Sequence, residues 1–351
     1  MSSIAKPKIL TQKTERNALG LTRLDYEGGM STLCAGCGHD SITAAIVQAF
    51  FEMALPPHRA VKLSGIGCSS KTTAYFVSQA HGFNAVHGRM PAVAAGANAA
   101  HKDLTYIGVS GDGDSLSIGL GQLCHAIRRN VHMLYVLENN GVYGLTKGQF
   151  SASSDRGSKS KYGVPNQEGP IDSISLALAL GCSFVARSFS GDKEQLVPLV
   201  MAGLKHRGFA FIDVLSPCVT FNDHEGSTKS YTFIRKSRHE VTAAGFVPIQ
   251  PEIAATYAPG SVQSVTMHDG TTMYLRKVAE GYDPTNRAGA LGYLREHADR
   301  GEVPTGLLYI NENDPDLHER ERTAATPLRD LPFESLCPGG EALDRMMDEY
   351  L

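Results

Sequence analysis

Residues 104–141 read LTYIGVSGDGDSLSIGLGQLCHAIRRNVHMLYVLENNG, and the order of elements within them decides the fold. The run 104–110 (LTYIGVS) is short, apolar and β-branched, as a buried strand is. After Gly111-Asp112-Gly113-Asp114, the residues Leu116, Ile118, Leu120, Leu123, Ala126 and Ile127 recur at helical spacing as far as Arg128-Arg129-Asn130. A second strand, 131–137 (VHMLYVL), ends at Glu138-Asn139-Asn140-Gly141. Strand, helix, strand is a crossover unit, so the two strands run parallel and bring their carboxyl ends to one edge. Asp112 and Asn140 each stand just past such an end, where open α/β sheets bind ligands. A carboxylate and an amide oxygen beside a glycine-rich turn suit Mg²⁺, which takes oxygen ligands and shares its other positions with water and phosphate. Gly111 and Gly113 let the backbone approach a diphosphate. Alone, Asp112 reads as a helix cap and residues 139–141 as a polar turn. At matching places on successive strands they read as one diphosphate–metal site.

A chain of 351 residues with 42% hydrophobic content buries a substantial core, and its net charge of -3 argues against nucleic acid or a membrane surface as partner. No apolar run reaches transmembrane length, and residues 1–16 are polar without a signal-peptide core, which points to the cytoplasm. Seven cysteines in such a chain are poor material for a disulfide framework, leaving metal or cluster ligation and ordinary burial.

Working outward, residues 1–30 form an arm without strong periodicity. The segment 32–40 (TLCAGCGHD) leads into a helix over 41–55 (SITAAIVQAFFEMAL), with Asp40 or Ser41 as its cap. Cys34 and Cys37 in a Cys-x-x-Cys before a helix read as a redox dithiol, half a zinc site or half an iron–sulfur site. A strand at 60–64 runs into Gly65-Ile66-Gly67-Cys68-Ser69-Ser70, and a short strand at 84–86 into His87-Gly88-Arg89. On chemistry alone His87 is a capping or core histidine and Arg89 an ion-pair partner at a subunit surface. Residues 90–102 form an alanine-rich helix with Pro91 in its first turn. Beyond the central unit, residues 151–169 are a polar loop of the kind that folds over a ligand or stays mobile. Helix 170–180, strand 183–186, helix 193–207 and strand 209–215 follow, ending at Ser216-Pro217-Cys218. From Phe221 charges increase and the alternation stops. A hairpin around Asp269-Gly270 within 265–278, a helical stretch 284–300, a strand 307–310 and a terminal helix 341–351 remain. The expected division is an arm (1–30), an α/β domain (31–225) with a mostly parallel open sheet and helices on both faces, and a carboxyl-terminal extension (226–351) packing on core and partner.

Cys34, Cys37, Cys68 and Cys218 each lie in a loop beside Gly or Pro, whereas Cys124 and Cys182 belong to apolar segments and Cys337 to the tail. Parallel strands gather the four on the edge that carries Asp112 and Asn140. Four thiolates hold Zn²⁺ or a [4Fe–4S] cluster, and spacing does not choose between them.

The pairing of GDGD with NN across one helix and one strand resembles the motif of thiamine diphosphate enzymes. In order over residues 34–218, CAGCGH, GIGCSS, HGR, GDGDSLSIG, HAIRRN, NNGVYGLTKGQ and SPC resemble the β subunit of 2-oxoacid:ferredoxin oxidoreductases, the 2-oxoglutarate type in particular. The resemblance implies the thiamine diphosphate-binding fold, with Cys34, Cys37, Cys68 and Cys218 on a [4Fe–4S] cluster. It implies Mg²⁺ on Asp112, Asn140 and the carbonyl of Val142. Gly67, Cys68, Ser69 and His87 would lie against the thiamine diphosphate, Gly111 to Asp114 would cradle its diphosphate, and Gly144, Leu145 and Thr146 would close on it. Leu33 and Ala35 depart from the tryptophan and proline common around the first cysteine.

The implied activity is decarboxylation of 2-oxoglutarate, with single electrons leaving through the cluster to ferredoxin and coenzyme A taking the acyl group as succinyl-CoA. The carboxylate that activates the thiamine ring has no candidate in this chain, and in the family it belongs to a partner α subunit. His87 and Lys147 are the candidate catalytic side chains, Lys147 as a cation for the distal carboxylate of 2-oxoglutarate or as an ordinary solvated lysine. A preference for pyruvate or a broad range of 2-oxoacids is the alternative. Remoter are a non-redox thiamine enzyme with a structural zinc and a cluster-carrying subunit without catalysis.

Overall fold

The computed structural model describes residues 15–159, 163–242, 262–266, 272–276, 282–337 and 339–350. The arm is anchored by Tyr26, fully buried at the end of a 3₁₀ turn (Arg23–Tyr26), whose hydroxyl accepts from Asn17 Nδ2 at 2.9 Å. Then come α1 (Gly38–Glu52), β1 (Ala60–Ser64), α2 (Cys68–Thr72), β2 (His81–Asn84), α3 (Met90–Ala100) and β3 (Thr105–Gly111). A π-helical turn (Gly113–Ile118) and α4 (Leu120–Arg128) lead to β4 (Met133–Asn139). A small hairpin of β5 (Val142–Tyr143) and β6 (Gln149–Phe150) precedes α5 (Ser173–Ala179), β7 (Phe184–Phe189), α6 (Lys193–Lys205) and β8 (Phe209–Leu215). The remainder comprises α7 (Tyr231–Ser237), β9 (Arg238–Thr242), β10 (Val262–Thr266), β11 (Thr272–Arg276), α8 (Arg287–Asp299) and β12 (Val303–Ile310). Helices α9 (Leu317–Arg320), α10 (Phe333–Leu336) and α11 (Gly340–Asp348) follow.

Eight strands form one sheet in the order β2-β1-β3-β4-β8-β7-β12-β9. All pairs from β2 to β7 are parallel, β12 runs antiparallel to β7, and β9 is parallel to β12. Helices cover both faces. Met133, Tyr135 and Leu137 of β4 pack with residues of α3, α4 and α5, while Leu134 and Val136 pack with α1 and α6. A strand buried on both faces carries no polar alternation, which is why this segment reads as an unbroken apolar run. Each such buried side chain contributes roughly 1.5–3 kcal/mol.

Four local expectations are corrected. Helix α1 begins at Gly38 behind Cys37, not at a cap on Asp40 or Ser41, and no side chain caps it. The short strand β2 lies at His81–Asn84 instead of 84–86, as an edge strand exposed at every position. The helix over 116–127 is interrupted at Gly119, where the chain passes so close to Gly88 that a Cβ would lie 2.7 Å from the Gly88 carbonyl. Finally, the alternation does not end at Phe221. β9 and β12 complete the sheet, and Leu308 and Tyr309 join the core that α5 covers. Helices α10 and α11 bury no side chain. The hairpin pairing of β10 with β11 is present, while Asp269 and Gly270 lie outside the described residues. Among the described residues no helix is long and apolar enough to cross a membrane.

Candidate active site

The strands β1, β3, β4 and β8 are consecutive neighbours, and each delivers one element of the site past its carboxyl end. Cys68 opens α2 after β1, Asp112 follows β3, Asn140 follows β4, and Cys218 stands three residues past β8. With strands about 4.8 Å apart, this rim is about 14 Å wide. Ser216 N–H donates to the Asn139 carbonyl at 2.8 Å, and Gly38 N–H to the Pro217 carbonyl at 3.4 Å, so the Cys218 loop is tied both to β4 and to the Cys34–Cys37 turn.

Asp112 is 1% exposed. Its Oδ2 accepts from Gly141 N–H (3.1 Å), from Ser153 Oγ (2.6 Å) and from Ser151 Oγ, whereas Oδ1 accepts only a 3.3 Å bond from Asn140 N–H. Burial raises its carboxyl above the ordinary range despite the serine hydroxyls. Oδ1 is therefore the oxygen with capacity left for a cation. The start of the polar loop is tied to the site by Ser151 and Ser153, which donate to Asp112, and by Ser154, which donates to the Gly141 carbonyl.

A cavity of about 110 Å³ opens beside this pair. Gly67, Cys68, Ser69 and His87 line it, as do Gly111, Asp112, Gly113 and Asp114, and so do Asn140, Val142, Gly144, Leu145 and Thr146. The sequence thus brings all thirteen proposed cofactor residues to one space. Two of them do other work than expected. Asp114 turns its oxygens to the protein: Oδ1 accepts from Gly88 N–H (2.7 Å) and Ile66 N–H (3.2 Å), and Oδ2 from Ser110 Oγ (2.6 Å). His87 Nδ1 stands against the same Oδ1 but makes no hydrogen bond to it. At Gly113 the close approach is to a ring, because a Cβ there would lie 2.5 Å from Tyr143 Cε1.

The cysteine sulfurs share the rim. Gly144 leaves room between two of them, and a Cβ on it would sit 3.5 Å from Cys68 Sγ and 3.6 Å from Cys218 Sγ. Thr220 Oγ1 donates to Cys34 Sγ at 3.6 Å. Burial pushes the Cys37 thiol up to about 12 and raises Cys68 and Cys218, with the charge of Cys218 adding at Cys68 and that of Cys34 adding at Cys218. Without a metal these thiols stay protonated and unreactive near neutral pH. Among the described residues no group of three or more His, Cys, Asp or Glu side chains is placed to hold a metal ion.

Sequence reasoning missed His39, Ile66 and Tyr143, which also line the cavity. His39 lay in plain view two residues after Cys37, and Tyr143 between Val142 and Gly144. Glu138, 0% exposed, has no hydrogen-bond partner on either oxygen, and burial raises its carboxyl well above the usual range. Lys147 does not line the cavity and is exposed, one residue beyond Thr146.

Residues 65–214 match the family pattern described as "Thiamine pyrophosphate enzyme, C-terminal TPP binding domain". The chain is 44% identical over 191 residues to the 2-oxoacid:ferredoxin oxidoreductase subunit beta of a Sulfolobus species, covering 54% of this chain and 63% of that one. It is 35% identical over 191 residues to the 2-oxoglutarate synthase subunit KorB of Methanocaldococcus jannaschii, covering 54% of this chain and 69% of that one. The matches span only 60–65% of the length of three curated relatives at 43–45% identity. A solved structure of the 2-oxoglutarate:ferredoxin oxidoreductase from Magnetococcus marinus, with 2-oxoglutarate, coenzyme A and succinyl-CoA bound, superposes with a TM-score of 0.71 at 28% identity. It covers 89% of this chain and 92% of that one. Fold, cavity and relatives agree, and the chain belongs to the family of 2-oxoacid:ferredoxin oxidoreductase β subunits.

Proposed function

We propose that the chain is the β subunit of a 2-oxoglutarate:ferredoxin oxidoreductase. With an α subunit it converts 2-oxoglutarate and coenzyme A to succinyl-CoA and CO₂, passing single electrons through a [4Fe–4S] cluster to ferredoxin. The observation that supports this reading is that Cys68, Asp112, Asn140 and Cys218 follow four neighbouring strands on one rim, with Cys68, Asp112 and Asn140 lining one cavity and Cys218 Sγ beside Gly144 in its wall. Cys34, Cys37, Cys68 and Cys218 hold the cluster, and Asp112, Asn140 and the Val142 carbonyl hold Mg²⁺. Thiamine diphosphate, when bound, supplies the carbon nucleophile that decarboxylation requires. The chain's own contribution is placement: the serines fix Asp112, and His87 stands at the cavity wall beside Asp114, where its ring faces the space a substrate would enter. Reduced thiols and clusters persist in the cytoplasm, where this reading locates the protein.

The need for an α subunit has its own support. The cavity of about 110 Å³ is smaller than the roughly 300 Å³ at which small-molecule sites begin. Its surroundings include the exposed apolar residues Ile66, Val86, Ile118 and Leu145. An apolar rim around an undersized pocket suits a second chain that completes it.

The test is anaerobic purification with the partner, followed by iron, sulfide and thiamine analysis and coenzyme A-dependent reduction of ferredoxin. About four irons and four sulfides per chain are expected; a colourless, sulfide-free protein overturns the reading. A tetrahedral zinc would instead hold four sulfurs at about 2.3 Å from one point, and the same metal analysis would then find zinc in place of iron and sulfide. A broad 2-oxoacid preference is the second reading, favoured by relatives named only for 2-oxoacids and by the position of Lys147 outside the cavity wall. Lys147→Met separates the two. Loss of one charged contact raises KM for 2-oxoglutarate about tenfold over that for pyruvate, whereas equal changes favour broad specificity.

A further inference from the structure

His39 stands between the two donor sets, and neither of its ring nitrogens has yet been given a role. The side chain is 1% exposed. Nδ1 lies 2.6 Å from Ser216 Oγ, two residues before Cys218, and 3.5 Å from Oε2 of the buried Glu138, while Nε2 lies 3.4 Å from Asn140 Nδ2. The residue itself follows Cys37 by two, in the first turn of α1. One ring therefore touches the Cys218 loop and the Asn140 amide from the helix that begins at the Cys34–Cys37 turn.

The protons can be assigned from these contacts. An amide nitrogen only donates, so Nε2 accepts from Asn140 and Nδ1 carries the ring proton, donating it to Ser216 Oγ. The second contact of that amide requires the same orientation, because Val142 N–H donates to Asn140 Oδ1 at 3.0 Å. The two ends of an amide have nearly the same shape but opposite polarity. Turned by half a rotation, Asn140 would offer a cation two N–H groups in place of an oxygen.

We propose that His39 is a positioning residue whose Nε2 holds the Asn140 amide with its oxygen available to the metal, and whose Nδ1 ties that orientation to the loop carrying Cys218. The inference rests on the reading of Asp112 and Asn140 as Mg²⁺ ligands. A 3.4 Å contact is long, and contacts of this kind tighten when the ligand completes the site. Partners that orient metal ligands typically change affinity 10–100-fold when removed.

The experiment uses the complex with the α subunit and thiamine diphosphate, titrated with Mn²⁺ as a paramagnetic probe, with iron content measured in parallel. His39→Asn places an amide near Nδ1, keeping the bond to Ser216 and deleting the acceptor for Asn140. His39→Gln reaches the Nε2 position with a carbonyl oxygen and restores that acceptor. Expected are Mn²⁺ binding 10–100-fold weaker in the Asn variant and within about threefold of wild type in the Gln variant, both with full iron. Wild-type affinity in the Asn variant overturns the proposal, as does a Gln variant as weak as the Asn one. If the Asn variant fails to assemble, the Gln variant decides: affinity within about threefold of wild type supports the proposal, and a tenfold loss overturns it. Asp112→Asn is the control on the underlying reading. If Mn²⁺ binding does not depend on Asp112, the metal assignment fails and this proposal with it, whereas an inert His39 beside a sensitive Asp112 removes the proposal alone.

Discussion

Replacing Asp114 with alanine removes an acceptor around which two loops and the end of β3 are gathered. Gly88 N–H and Ile66 N–H bind its Oδ1 at 2.7 and 3.2 Å, and Ser110 Oγ binds Oδ2 at 2.6 Å. The side chain is 3% exposed, so water does not readily replace it. Two amides and a hydroxyl lose their partner, at about 1–2 kcal/mol each, for a total of roughly 3–6 kcal/mol. That exceeds the roughly 0.5–3 kcal/mol of most single substitutions and lowers the thermal midpoint by roughly 5–15 °C. Asp114→Asn keeps the shape and one oxygen, and the Ser110 hydroxyl can turn to accept from the new amide. Its cost falls to about 1–2 kcal/mol. Thermal unfolding followed by circular dichroism measures both variants, and calorimetric titration with thiamine diphosphate measures the site. Affinity should fall in step with stability, because Asp114 acts through the loops it braces. An alanine variant that unfolds within a degree or two of wild type while binding the cofactor a hundredfold more weakly would refute the brace. It would restore Asp114 to the diphosphate cradle.

Two further predictions concern acid stability and iron. His206 is buried, with Nε2 2.8 Å from Ser183 Oγ, and burial lowers its pKa from 6.5 to about 4. Between these values the unfolded chain takes up a proton that the folded chain refuses, so the contribution is complete above pH 6.5 and is lost as pH falls toward 4. The gap is worth of order 3 kcal/mol; urea midpoints measured against pH should show a shallower acid slope in His206→Gln, and an unchanged slope assigns the loss elsewhere. For iron, alanine at Cys34, Cys37, Cys68 or Cys218 should empty the chain of chromogen-detectable iron. Alanine at Cys182, fully buried with its thiol on the Phe184 and Phe209 carbonyls, should leave iron unchanged. Iron lost at Cys182 or kept at Cys218 contradicts the ligand set.

The sequence was most legible where strands are buried on both faces. β1 and β8 lie at Ala60–Ser64 and Phe209–Leu215, the spans that their apolar runs predict. β2 carries no such signal because it lies at the open edge, and its pairing with β1 is set by main-chain hydrogen bonds rather than by buried side chains. Helix α1 starts early because Cys37 caps it by backbone shape alone, leaving the conventional cap residues inside the helix. In the site, the residues whose backbone or charge faces the cavity were readable from glycine-rich turns after strands. The residues that hold them were not. Asp114 looks like a second cradle residue until its three donors are seen, two of them 48 and 26 residues away and the third on the strand just before it. His39 hid behind the cysteines for the same reason, since its partners lie more than 100 residues away.

The late arrival of β12 has a consequence for the chain as it leaves the ribosome. β7 exposes one edge until residues 303–310 dock antiparallel against it, and more than a hundred residues are synthesised between the two strands. Throughout that interval the nascent protein presents a bare row of amide and carbonyl groups, a template for pairing with a neighbouring chain. Closure across so long a separation is slow. Chaperone protection during translation should therefore matter most after β8 is made and before β12 emerges, and expression truncated in that window should yield aggregate rather than a smaller folded core.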